Sequence, residues 1–207
     1  MRVSMPKEVD RATSPTASAI LDIAERLVQS RGFNGFSYAD IASELGITKA
    51  SLHYHFPGKA ELGESLIRRY SARFGEALVE IDGRHAPALE KLRAYCDLYR
   101  VVLQSERMCL CGMLAAEYET LPTAMRDAVV VFFDDNQGWL ANLLGDGRAT
   151  DDLHFTGSPD DAAHEIIAAL EGAMLVSRPY QNTAVLDSVA KRVVLEFSAA
   201  DQAGVDR

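Results

Sequence analysis

The stretch FSYADIASELGITKASLHYHFPGK, from Phe36 to Lys59, leaves this chain few ways to fold. Ser37 with Asp40 three positions later is a variant of the capping box and predicts a short helix over 38–45. Gly46 stops that helix, and Thr48 caps a second one that ends around Phe56-Pro57-Gly58. Two short helices joined by a three- or four-residue turn containing glycine make a helix-turn-helix. Ile41, Leu45, Ile47, Leu52 and Phe56 are spaced to share one core, and Ala42 is small where the second helix must approach. With those inside, Thr48, Lys49, Ser51, His53 and Tyr54 are largely left facing outward, with Ala50 a further candidate for DNA contact among them. Such hydrogen-bonding side chains on a short exposed helix have the chemistry to meet base edges and phosphates in a major groove. Ser37, Tyr38 and His55 are further candidates for DNA contact. Lys59 begins the next helix, so its charge and that helix's N-terminus can address the same phosphate.

Helical periodicity governs the rest of the chain, and no alternation of strand type competes with it. A helix capped by Thr16 is expected to about Ser30, with Ala17, Ile20, Ile23, Ala24, Leu27 and Val28 on one face. Longer helices are expected over about 59–81, 88–104, 108–120, 123–144, 159–177 and 185–200. Gly145-Asp146-Gly147 is expected to close the helix from 123, and 146–158 to be a polar loop. The expectation is an all-α protein of nine helices in two domains. A disordered arm covers 1–15, a helix-turn-helix domain 16–58, a ligand-binding and dimerisation domain 59–200, and a tail 201–207.

The net charge of −9 looks unfavourable for a nucleic-acid binder until it is mapped. Residues 1–57 hold equal numbers of acidic and basic side chains, so the acidity lies wholly in the remainder. A neutral module with a few placed cations suits a sequence-specific reader better than indiscriminate coating of DNA. No apolar stretch reaches the length of a membrane span, and residues 1–15 lack the apolar core of a signal peptide. A cytoplasmic location is the expectation. Phosphate loops, nucleophile elbows, metalloprotease motifs and Rossmann glycines are absent, so an enzyme is not expected.

Residues 17–66 resemble the N-terminal domain of the tetracycline-repressor (TetR) family. The resemblance rests on Gly32-Phe33-Asn34-Gly35-Phe36, Ile41-Ala42, Leu45-Gly46-Ile47-Thr48-Lys49, Ser51-Leu52, His55-Phe56-Pro57-Gly58-Lys59 and Glu61-Leu62 in that order. One departure is His53, where the family usually has a tyrosine whose hydroxyl meets a phosphate; Tyr54 stands one place on. A histidine there would make operator binding respond to pH. The resemblance implies a regulator, most often a repressor, that binds an inverted-repeat DNA operator as a homodimer and is released by a small-molecule inducer. It requires no cofactor and no metal.

The C-terminal body resembles the family more loosely, best at Glu171-Gly172-Ala173-Met174-Leu175. The two last helices are apolar beyond one stripe, which points to a partner subunit. Ala163, Ile166, Ile167, Leu170, Ala173, Met174, Val189, Val193 and Phe197 are the candidate dimer interface. The resemblance implies that two helices from each protomer form it, and that the ligand pocket lies among helices 88–144. Tyr95, Tyr99, Cys109, Met113, Tyr118, Phe132 and Trp139 are the candidate lining, suited to a lipophilic or aromatic ligand. Cys109 and Cys111, two apart on a helix, point too far apart to clasp one metal ion. Two alternatives stand beside this reading. One is a thiol-based redox sensor using Cys96, Cys109 and Cys111; the other is a helical adaptor that binds proteins.

Overall fold

The first helix begins two residues earlier than its apolar pattern suggests. In the computed structural model, which describes residues 14–198, Ser14 rather than Thr16 is the cap. Its hydroxyl accepts from the Ala17 amide at 3.1 Å, and Pro15 takes the first helical position. Helix α1 (Pro15–Arg31) buries Ala17, Ile20, Ala24, Leu27 and Val28 of the expected face, together with Leu21, while Ile23 is only half-buried. Helices α2 (Tyr38–Leu45) and α3 (Lys49–His55) follow, then α4 (Lys59–Asp82), α5 (Ala88–Gln104) and α6 (Leu110–Ala116). A single 3-10 turn (Tyr118–Thr120) leads to α7 (Thr123–Ala149), α8 (Pro159–Ser177), a second such turn (Arg178–Tyr180) and α9 (Ala184–Glu196). The described residues thus contain nine α-helices and no strand. The arm and tail expected at the two ends fall on residues 1–13 and 199–207 almost entirely and lie outside the described residues.

Helix α7 runs through both glycines that were expected to end it, and reaches Ala149. Gly147 is a point where other parts of the chain come close to this helix. A Cβ there would stand 2.6 Å from Ala88 Cβ and 2.6 Å from Leu153 Cδ1. The residue is a close-packing point inside a helix, and its lack of a side chain serves the contact. The segment expected as one helix over 108–120 is shorter, with α6 ending at Ala116.

Contacts divide the chain into two units. One contains residues 14–71 together with Leu110–Val129; the other contains Ala72–Cys109 together with 130–198. The N-terminal unit therefore recruits α6, the first 3-10 turn and the start of α7 from far along the sequence. Its core holds Ile20, Leu27, Ile41, Leu52, Leu62, Leu66 and Leu114, each 2% exposed or less. The other unit is centred on Leu92, Tyr95, Leu144, Leu170, Met174 and Leu186, all fully buried.

Candidate functional site

The outward face of α3 is built by the residues it buries. Leu52 and Phe56 are fixed in the core, and Thr48, Lys49, Ala50, His53 and Tyr54 are consequently exposed, with Ser51 and His55 half-buried. The Thr48 hydroxyl accepts from the Ser51 amide at 3.1 Å and so starts the helix. Ahead of it, Gly46 adopts φ +68° at the end of α2, a left-handed turn that glycine enters without steric cost. At the other end of α2, the Ser37 amide and hydroxyl both donate to the Asp40 carboxylate at 2.7 Å. These bonds hold the Asp40 carboxyl below its ordinary range.

Several residues of this surface have structural employment. The Tyr38 hydroxyl is committed to the carbonyls of Phe56 (3.0 Å) and Gly58 (2.6 Å), tying the start of α2 to the end of α3. Burial, with Glu61 second, raises its phenol above the ordinary value. His53 Nδ1 lies 2.9 Å from the Pro57 carbonyl, which requires a proton on that nitrogen and turns Nε2 away as the ring's second polar atom. Its ring packs on Tyr38, with centroids 4.9 Å apart.

Lys59 differs from the expectation of a phosphate contact. Its ammonium turns inward and donates to the carbonyls of Phe33 (2.5 Å) and Phe36 (2.6 Å). It also lies 4.6 Å and 4.1 Å from the centroids of the Phe33 and Phe36 rings. The physical reason is local. The loop between α1 and α2 points two carbonyls and two aromatic faces at one spot, a ready-made cation site. Desolvation there lowers the Lys59 pKa, against the pull of Glu117 and Asp40. The same loop is held from outside by Glu117, whose carboxylate accepts from the amides of Phe33 (2.5 Å) and Asn34 (3.3 Å). The Asn34 side chain adds a 2.7 Å bond to the Thr120 hydroxyl. At Gly32, with φ +83°, a Cβ would stand 2.7 Å from Glu117 Oε1, so a glycine is needed twice over. Glu117 gave no signal in the sequence, because nothing near 117 predicts an anchor for a loop eighty residues earlier.

In the second unit, Tyr95, Tyr99 and Trp139, three of the candidate lining residues, are neighbours. Tyr95 stacks on Trp139 with centroids 5.5 Å apart, and the indole N–H donates to Asp82 at 2.8 Å. Trp139 also lines a recess of about 390 Å³ with Lys91, Asn142, Asp146 and Asp152 among others. Cys109 bonds to Glu171 of α8, a residue the sequence placed only within a matching motif. Phe132 packs instead on Phe74 (5.2 Å) and Phe133 (5.3 Å). Met113 and Tyr118 belong to the N-terminal unit, where Arg126 lies over the Tyr118 ring. Asn136 was missed as well. It is 1% exposed and bonded to both tyrosines.

The expected dimer residues are corrected by their burial. Ala163, Ile166, Ile167, Leu170, Ala173, Met174, Val193 and Phe197 are all buried within the protomer, and Val189 is half-buried. They hold α8 and α9 together and against α5. The apolar side chains left outward are Leu175 and Val176 of α8, Tyr180 after it and Leu195 of α9, 41–66% exposed.

The thiol-sensor alternative finds no support. Cys96, Cys109 and Cys111 are free and buried, and burial pushes the Cys96 thiol up to about 12, which leaves little thiolate to react. Among the described residues no group of His, Cys, Asp and Glu is arranged to hold a metal ion, and no helix is long and apolar enough to cross a membrane.

Residues 20–66 match the family described as bacterial regulatory proteins, tetR family, and residues 88–193 match the tetracyclin repressor-like C-terminal domain. The transcriptional regulator AcuR of Cereibacter sphaeroides is 27% identical, over 84% of this chain and 81% of its own. The HTH-type transcriptional repressor DhaR of a Mycobacterium species is 21% identical, over 85% and 89%. Among solved structures, a TetR-family regulator from Agrobacterium tumefaciens superposes with a TM-score of 0.86 at 30% identity, covering 93% of this chain and all of that one.

Proposed function

The chain belongs to the tetR family of bacterial regulatory proteins, a DNA-binding transcriptional regulator and not an enzyme, and from that premise we propose that it is a homodimeric repressor released from its operator by a small molecule. The observation that carries the DNA reading is the outward face of α3, where Thr48, Lys49, Ala50, His53 and Tyr54 stand exposed on a helix anchored by Leu52. Lys49 supplies the charge, and Tyr54 and His53 supply reach and hydrogen bonding to bases and backbone. Ser37 and Thr48 set the ends of the two helices and lie at the same surface, where amides and hydroxyls can meet phosphates.

Dimerisation is supported by Leu175, Val176, Tyr180 and Leu195, four large apolar side chains that the protomer leaves in water. Ala168 is exposed on the same side of α8, and a Cβ at Gly172 would meet nothing, so a partner helix can approach closely. A two-fold dimer presents two α3 helices, and its operator is then an inverted repeat with half-site centres about 34–36 Å apart or a multiple of that. The repressor reading draws on the name of the related DhaR, and the effector site on the polar cluster of Tyr95, Tyr99, Asn136 and Glu171. The test is selection of binding sites from random duplex DNA. Enrichment of a palindrome that the Lys49→Ala, Tyr54→Ala variant no longer holds is the expected result. Failure to enrich any palindrome overturns the reading.

A further inference from the structure

Glu171 is one of three described residues with a buried side-chain polar atom that has no hydrogen-bond partner, the others being Gln29 and Arg69. The Glu171 Oε1 is buried and has no hydrogen-bond partner, although the residue as a whole is only half-buried. A buried carboxylate oxygen without a donor is costly, and a native fold that keeps one has a use for it.

The neighbouring phenol hydroxyls cannot supply the missing donor. Tyr95 gives its only hydroxyl hydrogen to Asn136 Oδ1 at 2.9 Å. The 3.1 Å bond between the two tyrosines must then be donated by Tyr99, and Asn136 Nδ2 closes the ring by donating to Tyr99 at 3.3 Å. Each hydroxyl hydrogen is spent inside this three-membered ring. Cys109 donates its thiol hydrogen, a weak bond, to the carboxylate. No ion pair to Glu171 forms among the described residues, so the negative charge has no counter-ion. What remains is a carboxylate that lacks both a strong donor and a positive charge, near Tyr95 and Tyr99, whose phenols feel its charge, with Trp139 stacked on Tyr95.

We propose that the effector of this regulator is a protonated amine carrying an apolar or aromatic body, and that its ammonium group binds Glu171 Oε1. An ammonium provides the two things the site lacks, N–H donors and a unit charge, and π faces favour it further. Carboxylate or phosphate ligands meet uncompensated repulsion in the same place. The proposal rests on the effector-responsive reading above and names the ligand chemistry of that site.

Binding of an amine has a consequence in protons. Burial pushes the Glu171 carboxyl up to about 7, so at pH 6 it is mostly protonated, and an incoming ammonium must displace that proton. The other titratable groups facing it are Tyr95 and Tyr99 of α5 and Cys109 ahead of α6. Both phenols are raised by burial and stay neutral at this pH.

The experiment uses the full chain and three probes of one shape: benzylamine, benzyl alcohol and benzoate. Trp139, the sole tryptophan, stacks on Tyr95 and reports occupancy by its fluorescence. Benzylamine is expected to bind at least ~10-fold more tightly than either other probe, a preference that is about 1.4 kcal/mol. Calorimetry at pH 6 in two buffers of different ionisation enthalpy should count close to one proton released per amine. Glu171→Gln, which keeps the shape and removes the charge, should abolish both the preference and the proton release. Equal binding of benzoate, absence of amine binding up to millimolar concentration, or a preference that survives in Glu171→Gln each overturns the proposal. A Glu171→Gln variant that shifts the monomer–dimer balance and leaves amine affinity untouched would assign the carboxylate to the subunit contact and also overturn it. None of these measurements involves DNA. A protein that holds its operator but ignores amines sinks this inference alone; one that holds no operator sinks the earlier reading.

Discussion

Lys49 and Lys59 show how differently one residue type is used within a single unit. Lys49 is exposed on α3, whereas Lys59 is folded over Phe33 and Phe36 and bonded to their carbonyls. Lys49→Ala should therefore weaken binding to all DNA sequences and reduce the slope of log K against log salt by about one. Lys59→Ala should leave that slope unchanged and lower the stability of the folded protein by about 2 kcal/mol, since two carbonyls lose a charged donor. A salt titration and a urea melt on both variants separate the two effects; a reduced salt slope in Lys59→Ala would return that lysine to the DNA surface. Glu171 makes a second residue-level prediction. Its carboxyl is raised from 4.5 to about 7 in the folded protein, so the folded state holds the proton more tightly than the unfolded chain. The associated stability is complete below the unfolded value and is lost as pH rises through the folded one, by no more than about 3 kcal/mol. Stability measured from pH 5 to pH 8 should fall more steeply in the wild type than in Glu171→Gln. Parallel curves would mean that the carboxylate is solvated.

At the scale of elements, the signals that survive from sequence to structure are local. Ser37 with Asp40, Gly46, and the spacing of Ile41, Leu52 and Phe56 each act within a few residues, and α2 and α3 form where those signals put them. The outward face of α3 was legible for the same reason, because burial of one face dictates exposure of the other. Signals that act across the chain were not legible. Gly147 reads as a helix stop in sequence, yet it sits inside α7 because Ala88 and Leu153 need the space of a missing side chain. Glycine in a helix costs about 1 kcal/mol relative to alanine, and the contact it permits offsets that. Gly147→Ala should therefore destabilise by about 1–3 kcal/mol, through overpacking, where helix propensity alone would make it stabilising. A thermal melt gives the sign directly. The ring of Tyr95, Tyr99 and Asn136 was half legible: the aromatics stood out, but an asparagine among them carried no mark of its partners. The apolar stripe of α8 misled for a related reason. Periodicity says that a face is buried, not by which chain, and Ile166, Leu170 and Met174 are claimed by the protomer's own core.

For the whole molecule, charge and assembly act together. The net charge of −9 opposes DNA, and one α3 carries few cations, so on the proposed reading a single protomer would grip weakly and a dimer would sum two half-sites. In the proposed dimer, the outward apolar side chains of α8 and α9 would be the means of that assembly. Leu175 is 55% exposed and Val176 53% exposed, so a charge placed there disturbs no core of the protomer but cannot be buried against a partner. Leu175→Glu with Val176→Lys should thus keep the helical signal and the unfolding midpoint of the isolated protomer while light scattering falls from twice the chain mass to once. Operator affinity should drop by two or more orders of magnitude, because binding of the second head is no longer intramolecular. The residual binding should show about half the wild-type salt slope, since half the phosphate contacts remain. By contrast Ile166→Asp, in the protomer core, should unfold the chain rather than divide it. If the double variant remains dimeric, the subunit contact lies elsewhere on the surface; if it is monomeric yet binds the palindrome with wild-type affinity and slope, the two-headed reading of DNA is wrong even though the helix-turn-helix is right.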